Sequence, residues 1–398
     1  MKDLSIDLNL THSLYYESNK WKNTVGFVKK VKEKYCDAYV YDSKSNKTEQ
    51  YLKDLSVAEN FLHGGMQTYD VCRVFLTEHK PKNMKEEGIS DWITMIAYFP
   101  ELNIVALSFH YSLKNTDTDN IIKLRQSGGI KQYDFGFGKM SCYQLAEDIC
   151  SALGITAERS EYSTLCEITK IGNYQTAQSL EEAEKKRLYG FITGDEGYEF
   201  VSDNLASDRL KLSWSSRDFM RIYAFGQSFL FINLIGTKRH NEYIEHQKEY
   251  GVNAYGAVNP YFLMGECPLT VNHGILFSVE FAMTLKALVN NVLSYQSKFY
   301  KKKKIFFFLR MGKTRDLRRK IIMVLEKVER AEISEIGQLS AMLLESQHIA
   351  PIVEQVKDLL EMLESDLELA HSEFNNVLVF ILTVVGLVLA LWEIFLSM

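Results

Sequence analysis

Asp134-Phe-Gly-Phe-Gly-Lys-Met-Ser141 sets a lysine directly behind two closely spaced glycines. Such a spacing can cradle a phosphate, or, as Asp-Phe-Gly, present a magnesium-binding carboxylate. Neither chemistry fits. Tyr133 stands five residues before Gly138 where a phosphate loop needs glycine, and Met140 stands where a Ser or Thr would touch magnesium. No kinase catalytic loop is present. His63-Gly64-Gly65 reads as a turn rather than an oxyanion loop, and Gly194-Asp-Glu-Gly197 as a solvated acidic turn. The nine histidines contain no H-E-x-x-H pair. The six cysteines (Cys36, Cys72, Cys142, Cys150, Cys166, Cys267) contain no C-x-x-C and no zinc spacing, which predicts reduced, buried thiols. Cys142 and Cys150 share a helix face two turns apart, too far for a bridge. The sequence thus assigns no catalytic residue, no metal ligand and no cofactor.

Where side-chain chemistry does concentrate, it is the chemistry of surfaces. Val377 to Leu396 is a nearly uncharged run with Trp392 near its far end. About twenty such residues at 1.5 Å rise match a ~30 Å hydrocarbon core, so the expectation is one C-terminal transmembrane helix. The start, MKDLSIDLNL, lacks the succession of a signal peptide. The expected topology is single-pass and tail-anchored, the bulk cytoplasmic and the C-terminus on the far side. Upstream, Lys301 to Lys320 sets ten Lys/Arg against Asp316 around an IFFFL knot. Lys301, Lys302, Lys303, Lys304, Phe306, Phe307, Phe308, Arg310, Arg315, Arg318 and Arg319 are expected at a membrane surface. There each cation gains roughly 1 kcal/mol from anionic headgroups while the rings enter the interface. The net charge of -5 and the tail tether favour lipid over nucleic acid as the partner of this run.

Ile349, Val353, Val356, Leu360, Leu363 and Leu367 recur at alternating spacings of four and three, with acids such as Glu354, Asp358, Glu361 and Glu368 between them. This is the seam of a stalk helix that packs on the preceding helix and on further copies of the chain. Within the apolar run, Asn376, Thr383, Gly386, Ala390 and Glu393 lie along one face, and Gly386-xxx-Ala390 is a small-xxx-small pair. That face serves either helix association or a pore. The expected partners are anionic headgroups of a lipid bilayer, other copies in a homo-oligomer, and an unknown cytoplasmic ligand or protein, with no nucleic acid.

An α+β body must position these surfaces. Tyr 22, Phe 23 and Trp 4 against only five prolines argue for well-filled secondary structure. Strand alternation mixes with amphipathic helices up to about residue 260, with a subdomain split near 130–175. Asp91 to Ser112 and Asp218 to Thr237 each read as strand, tight turn, strand, each followed by a helix (Asp117 to Gln126; Lys238 to Tyr250). A duplicated hairpin–helix module and a shared Phe/Tyr/Ile composition both explain the likeness. Helices are expected at Ser141 to Leu153 and Ser179 to Leu188, the latter opening on a capping box. From 270 to 348 the chain reads as helical, with long helices at Gly274 to Tyr300 and Thr314 to Glu345, the second folded back antiparallel against the stalk helix that follows. The stalk follows at 349–376 and the membrane helix at 377–396.

A cytoplasmic α+β body, an antiparallel helix pair and a stalk helix entering the membrane together resemble the CorA-type divalent-cation channels over roughly residues 270 to 398. The likeness is one of arrangement. It implies a bundle of stalks around an axis and a channel or membrane-permeabilising effector gated by the body. The family's Gly-Met-Asn motif and second membrane helix are absent, so magnesium selectivity does not carry over. The other readings are a membrane-tethered scaffold without transport and an enzyme with an unrecognised site in the body.

Overall fold

The computed structural model describes residues 4–18, 24–40, 72–243, 273–300, 335–349 and 375–387, apart from isolated positions, with scattered single residues elsewhere. Nine strands form one mixed sheet. Its centre is β1 (Ile6–Glu17), antiparallel to both β5 (Ile104–Thr116) and β8 (Arg159–Ile171). Beyond β5 lie β4 (Ile89–Phe99), β3 (Cys72–Leu76) and β2 (Ala38–Val40). Beyond β8 lie β11 (Ser228–Asn233), β10 (Met220–Phe225) and β9 (Ser213–Arg217), β11 running parallel to β8. Parallel neighbours need a crossover, and residues 172–227 supply it.

Side chains alternate along a strand, so β1 sends Leu8, Leu10, His12, Leu14 and Tyr16 to one face and Asn9, Thr11, Ser13 and Tyr15 to the other. The first face is packed by α1 (Thr24–Lys34), α2 (Thr118–Ser127), α3 (Cys142–Leu153) and α4 (Ala177–Thr193), with α5 (Asp203–Arg209) against α4. Phe27 of α1 meets Trp21 and Tyr98 at ring separations of 5.1 and 4.9 Å. α3 starts at Ser141, whose hydroxyl accepts from the Gln144 backbone while the Gln144 side chain accepts from the Ser141 backbone. It ends at Gly154, φ 75°, a left-handed position that glycine adopts at little cost. Arg125 of α2 donates to the Phe191 and Ile192 carbonyls at 3.0 and 3.1 Å, satisfying the last turn of α4.

α4 begins earlier than its sequence pattern suggests. Thr176 is the N-cap and Ser179 donates its backbone N–H to it, so the two-way capping box belongs to Ser141, not Ser179. Thr176 won because its backbone is already extended, leaving Ser179 inside the first turn. The hairpins expected at 91–112 and 218–237 are present as β4–β5 and β10–β11. α2 follows the first, and a helical segment from residue 238 follows the second.

The chain divides into two compact units, Met1–Asn291 with Lys327–Ile349, and Val292–Glu326 with Ala350–Met398. In the first, the helix α6 (His273–Tyr300), as far as Asn291, and α7 (Glu335–Ser346) follow the sheet. The long helix expected at Thr314 to Glu345 is corrected: the helix described there is α7, 12 residues long and packed on β9 and β10, while most of 314–334 and of the stalk it was to pair with lies outside the described residues. The expectation of a membrane-crossing helix is likewise corrected. No helix among the described residues is long and apolar enough to cross a membrane. The apolar run is described as helix over residues 375–387, and its apolar part, from Val377, rises about 16 Å, half a hydrocarbon core. Residues 388–396 lie outside the described residues. Single-pass topology, tail anchoring and the topology-based placement of the C-terminus fall with it.

Candidate functional site

The second face of the sheet carries a dense layer of buried polar side chains among the described residues. The β1 sequence N-x-T-x-S-x-Y places an amide, two hydroxyls and a phenol on that face, and the register sets matching groups beside them. Ser13 Oγ lies 2.8 Å from Ser108 Oγ, and Tyr15 OH lies 3.2 Å from Ser163 Oγ. Thr11 Oγ1 lies 2.8 Å from His110 Nδ1. Ser112 donates to Asn9 Oδ1 at 2.7 Å, while Asn9 donates to Glu167 Oε2 at 3.2 Å and Asn233 to Glu167 Oε1 at 2.7 Å. All of these residues are buried. Polar groups removed from water cost free energy unless they bond to one another, and these do.

One row across the sheet seats α6 on this face. The register aligns Arg73 on β3, Ala97 on β4, Ala106 on β5, Tyr15 on β1 and Glu161 on β8. The two alanines leave a low floor between the longer side chains. At one end, Arg73 Nη1 and Nη2 both lie 2.8 Å from Glu280 Oε2 of α6. At the other, Asn290 of α6 donates to Glu161 Oε1, Lys286 Nζ lies 3.8 Å from Glu161 Oε2, and Ser160 donates to Asn291 at 2.9 Å. Four strand spacings span about 19 Å, and the ten residues from Glu280 to Asn290 rise about 15 Å, so α6 runs across the strands along this row.

The electrostatics follow burial. Glu280 is 0 % exposed, and burial pushes its carboxyl above the usual range against the pull of Arg73. Burial raises the Tyr15 phenol as well, with the Glu280 charge adding to it. On the opposite face His12 bonds to Thr164 and Tyr111 at 3.3 and 3.0 Å. Burial, helped by the Arg125 charge, lowers it to about 3, so it is a neutral imidazole. Cys150 and Cys166 are pushed up to about 12 by burial, which keeps them as inert thiols. Cys36 departs from the buried expectation and is exposed.

Thr11 and His110 come nearest to a nucleophile and its base among the described residues, but at 1 % and 3 % exposure they make a structural hydrogen bond rather than meet a substrate. The glycine turn at 134–139 is local as well: Asp134 Oδ1 accepts from the Gly136 backbone, closing a hairpin between β6 (Gln132–Asp134) and β7 (Lys139–Ser141). Among the described residues no group of His, Cys, Asp and Glu could hold a metal ion.

The residues expected to act as surfaces are not brought to this site. Of the basic run, Arg319 is helical and exposed, and the others lie outside the described residues. Of the seam, Ile349 is fully buried in the first unit, while Val353, Val356, Leu360, Leu363 and Leu367 lie outside the described residues. Asn376, Thr383 and Gly386 sit on an exposed helix, with Ala390 and Glu393 outside the described part. Sequence reasoning missed Arg73, Glu161, Glu167 and Glu280. Glu280 was the available signal, a lone carboxylate in an apolar helical stretch. No family model, no curated protein and no solved structure matches this chain.

Proposed function

We propose that this chain is a non-enzymatic receptor and assembly protein. The α+β body reads a ligand or protein partner, α6 carries the outcome onward, and the C-terminal helix associates with further copies of the chain. The observation that supports this most directly is the polar seating of α6. Directional bonds at Arg73–Glu280 and at Glu161 hold it, and such bonds are made or lost as units rather than gradually. α6 is one continuous helix that starts in the first compact unit and ends in the second.

The assembly half of the reading draws on Val377–Leu387, where nine apolar side chains are 43–68 % exposed. The one hydroxyl there, Thr383, is spent on the Val379 carbonyl at 2.7 Å. A contiguous apolar surface of this kind marks an interface. From the likeness to CorA-type channels the reading keeps the bundling of helices around an axis and leaves ion conduction out. Light scattering on the full chain tests it. The expected result is a multimer that Val379→Ser/Leu382→Ser shifts toward monomer; a wild-type monomer at tens of micromolar protein overturns the assembly.

A further inference from the structure

Four elements meet around the Glu161 carboxylate in a closed ring of side-chain contacts. Gln227, in the two-residue turn between β10 and β11, donates to Glu161 Oε2 at 2.6 Å. Lys286 of α6 lies 3.8 Å from the same oxygen and donates to Gln347 Oε1, just past α7, at 3.1 Å. Gln347 in turn donates to the carbonyl of Gly226, the neighbour of Gln227, which closes the ring. Asn290, one turn beyond Lys286 on the same side of α6, adds its amide to Glu161 Oε1. Glu161 and Gln347 are 7 % and 2 % exposed, so these bonds form away from competing water.

The position of the ring is what gives it a role. The chain leaves the first compact unit after Asn291 and again after Ile349. Asn290 and Gln347 lie within two residues of those two points. We infer that the ring is a latch that clamps both exits of the body, so that freeing either one frees the other. Glu161 is its hub because it alone accepts from the turn and from two successive turns of α6. Lys286 is the link between the two exits, since its ammonium reaches the Glu161 carboxylate on one side and the Gln347 amide on the other. The inference concerns contacts within the first unit and does not depend on the assembly proposed above.

Hydrogen exchange on the full chain tests it, comparing wild type with Glu161→Gln, which keeps shape and an acceptor but removes the charge that Lys286 faces. Losing a charge-assisted contact corresponds to about a tenfold or greater rise in opening. The expected result is faster exchange of that size in residues 286–291 and in residues 343–349 together, with β1 and β5 unchanged. Gln347→Met, placed at the far side of the ring and away from the buried carboxylate, is expected to give the same paired pattern. If either variant speeds exchange at one exit alone, or at neither, the latch is overturned. If Glu161→Gln loosens β1 and β5 as well, the Gln347→Met result decides by the same criterion.

Discussion

The two faces of the central sheet are built from the same strand but solve burial in opposite ways. On the α1–α4 side β1 presents Leu8, Leu10, Leu14 and Tyr16 to a layer of apolar and aromatic side chains, and its one polar member, His12, is held neutral. On the α6 side the same strand presents Asn9, Thr11, Ser13 and Tyr15, each answered by a neighbouring polar group. Apolar packing is nearly insensitive to small slides, whereas a bonded polar layer fits one placement and penalises the rest. The polar layer of β1 bonds to the neighbouring strands β5 and β8, whereas α6 is held by Arg73–Glu280 and by the Glu161 and Ser160 bonds, so its seat rests on a few directional contacts.

Breaking the comparison is expected to show its largest effect at Arg73–Glu280. Glu280→Leu or Arg73→Met alone breaks a buried ion pair from one side and should cost about 3–5 kcal/mol in urea unfolding. The double variant should recover most of that loss. If the singles and the double are equally unstable, the pair is not what seats α6.

Leu14 and Ser13 are adjacent, both nearly fully buried, and face opposite ways. Leu14→Ala should cost about 3 kcal/mol through the cavity left behind. Ser13→Ala should cost about 1 kcal/mol, the worth of one hydrogen bond. Equal losses would erase the distinction between the faces.

The third effect depends on pH. His12 is lowered in the folded state to about 3, so between that value and its ordinary 6.5 the unfolded chain binds a proton that the folded chain does not. Stability from this group is thus fully present above about pH 6.5 and is lost as pH falls, by about 2 kcal/mol between pH 7 and pH 5. Glu280 works in the other direction, since its raised carboxyl favours the folded state as pH falls. The difference between wild type and His12→Gln isolates the histidine: the variant should lose less stability than wild type over that range, and parallel curves would show that His12 is not buried neutral.

Much of the α1–α4 side was legible in the sequence. The 141–153 helix announces itself through Ser141, Gln144 and Gly154, and the β4–β5 hairpin through its alternating Ile, Phe and Tyr. Local patterns suffice there because the signals are only a few residues apart. The α6 side was not legible. A polar residue at every second place in β1 ordinarily means a solvated face, and only the long-range pairing with β5 and β8 and the burial of the face show otherwise for Asn9, Thr11 and Ser13. The C-terminal run departs in the opposite direction: hydropathy alone predicts a span, while no helix among the described residues is long and apolar enough for one, and residues 388–396 lie outside them.

Native-state hydrogen exchange of the full chain, compared segment by segment, tests the central claim most directly. The account predicts that residues 280–291 of α6 open at a lower free energy than residues 145–153 of α3 and without the central strands, as a unit of their own. Exchange of α6 only through global unfolding, at the same free energy as α3, would contradict it.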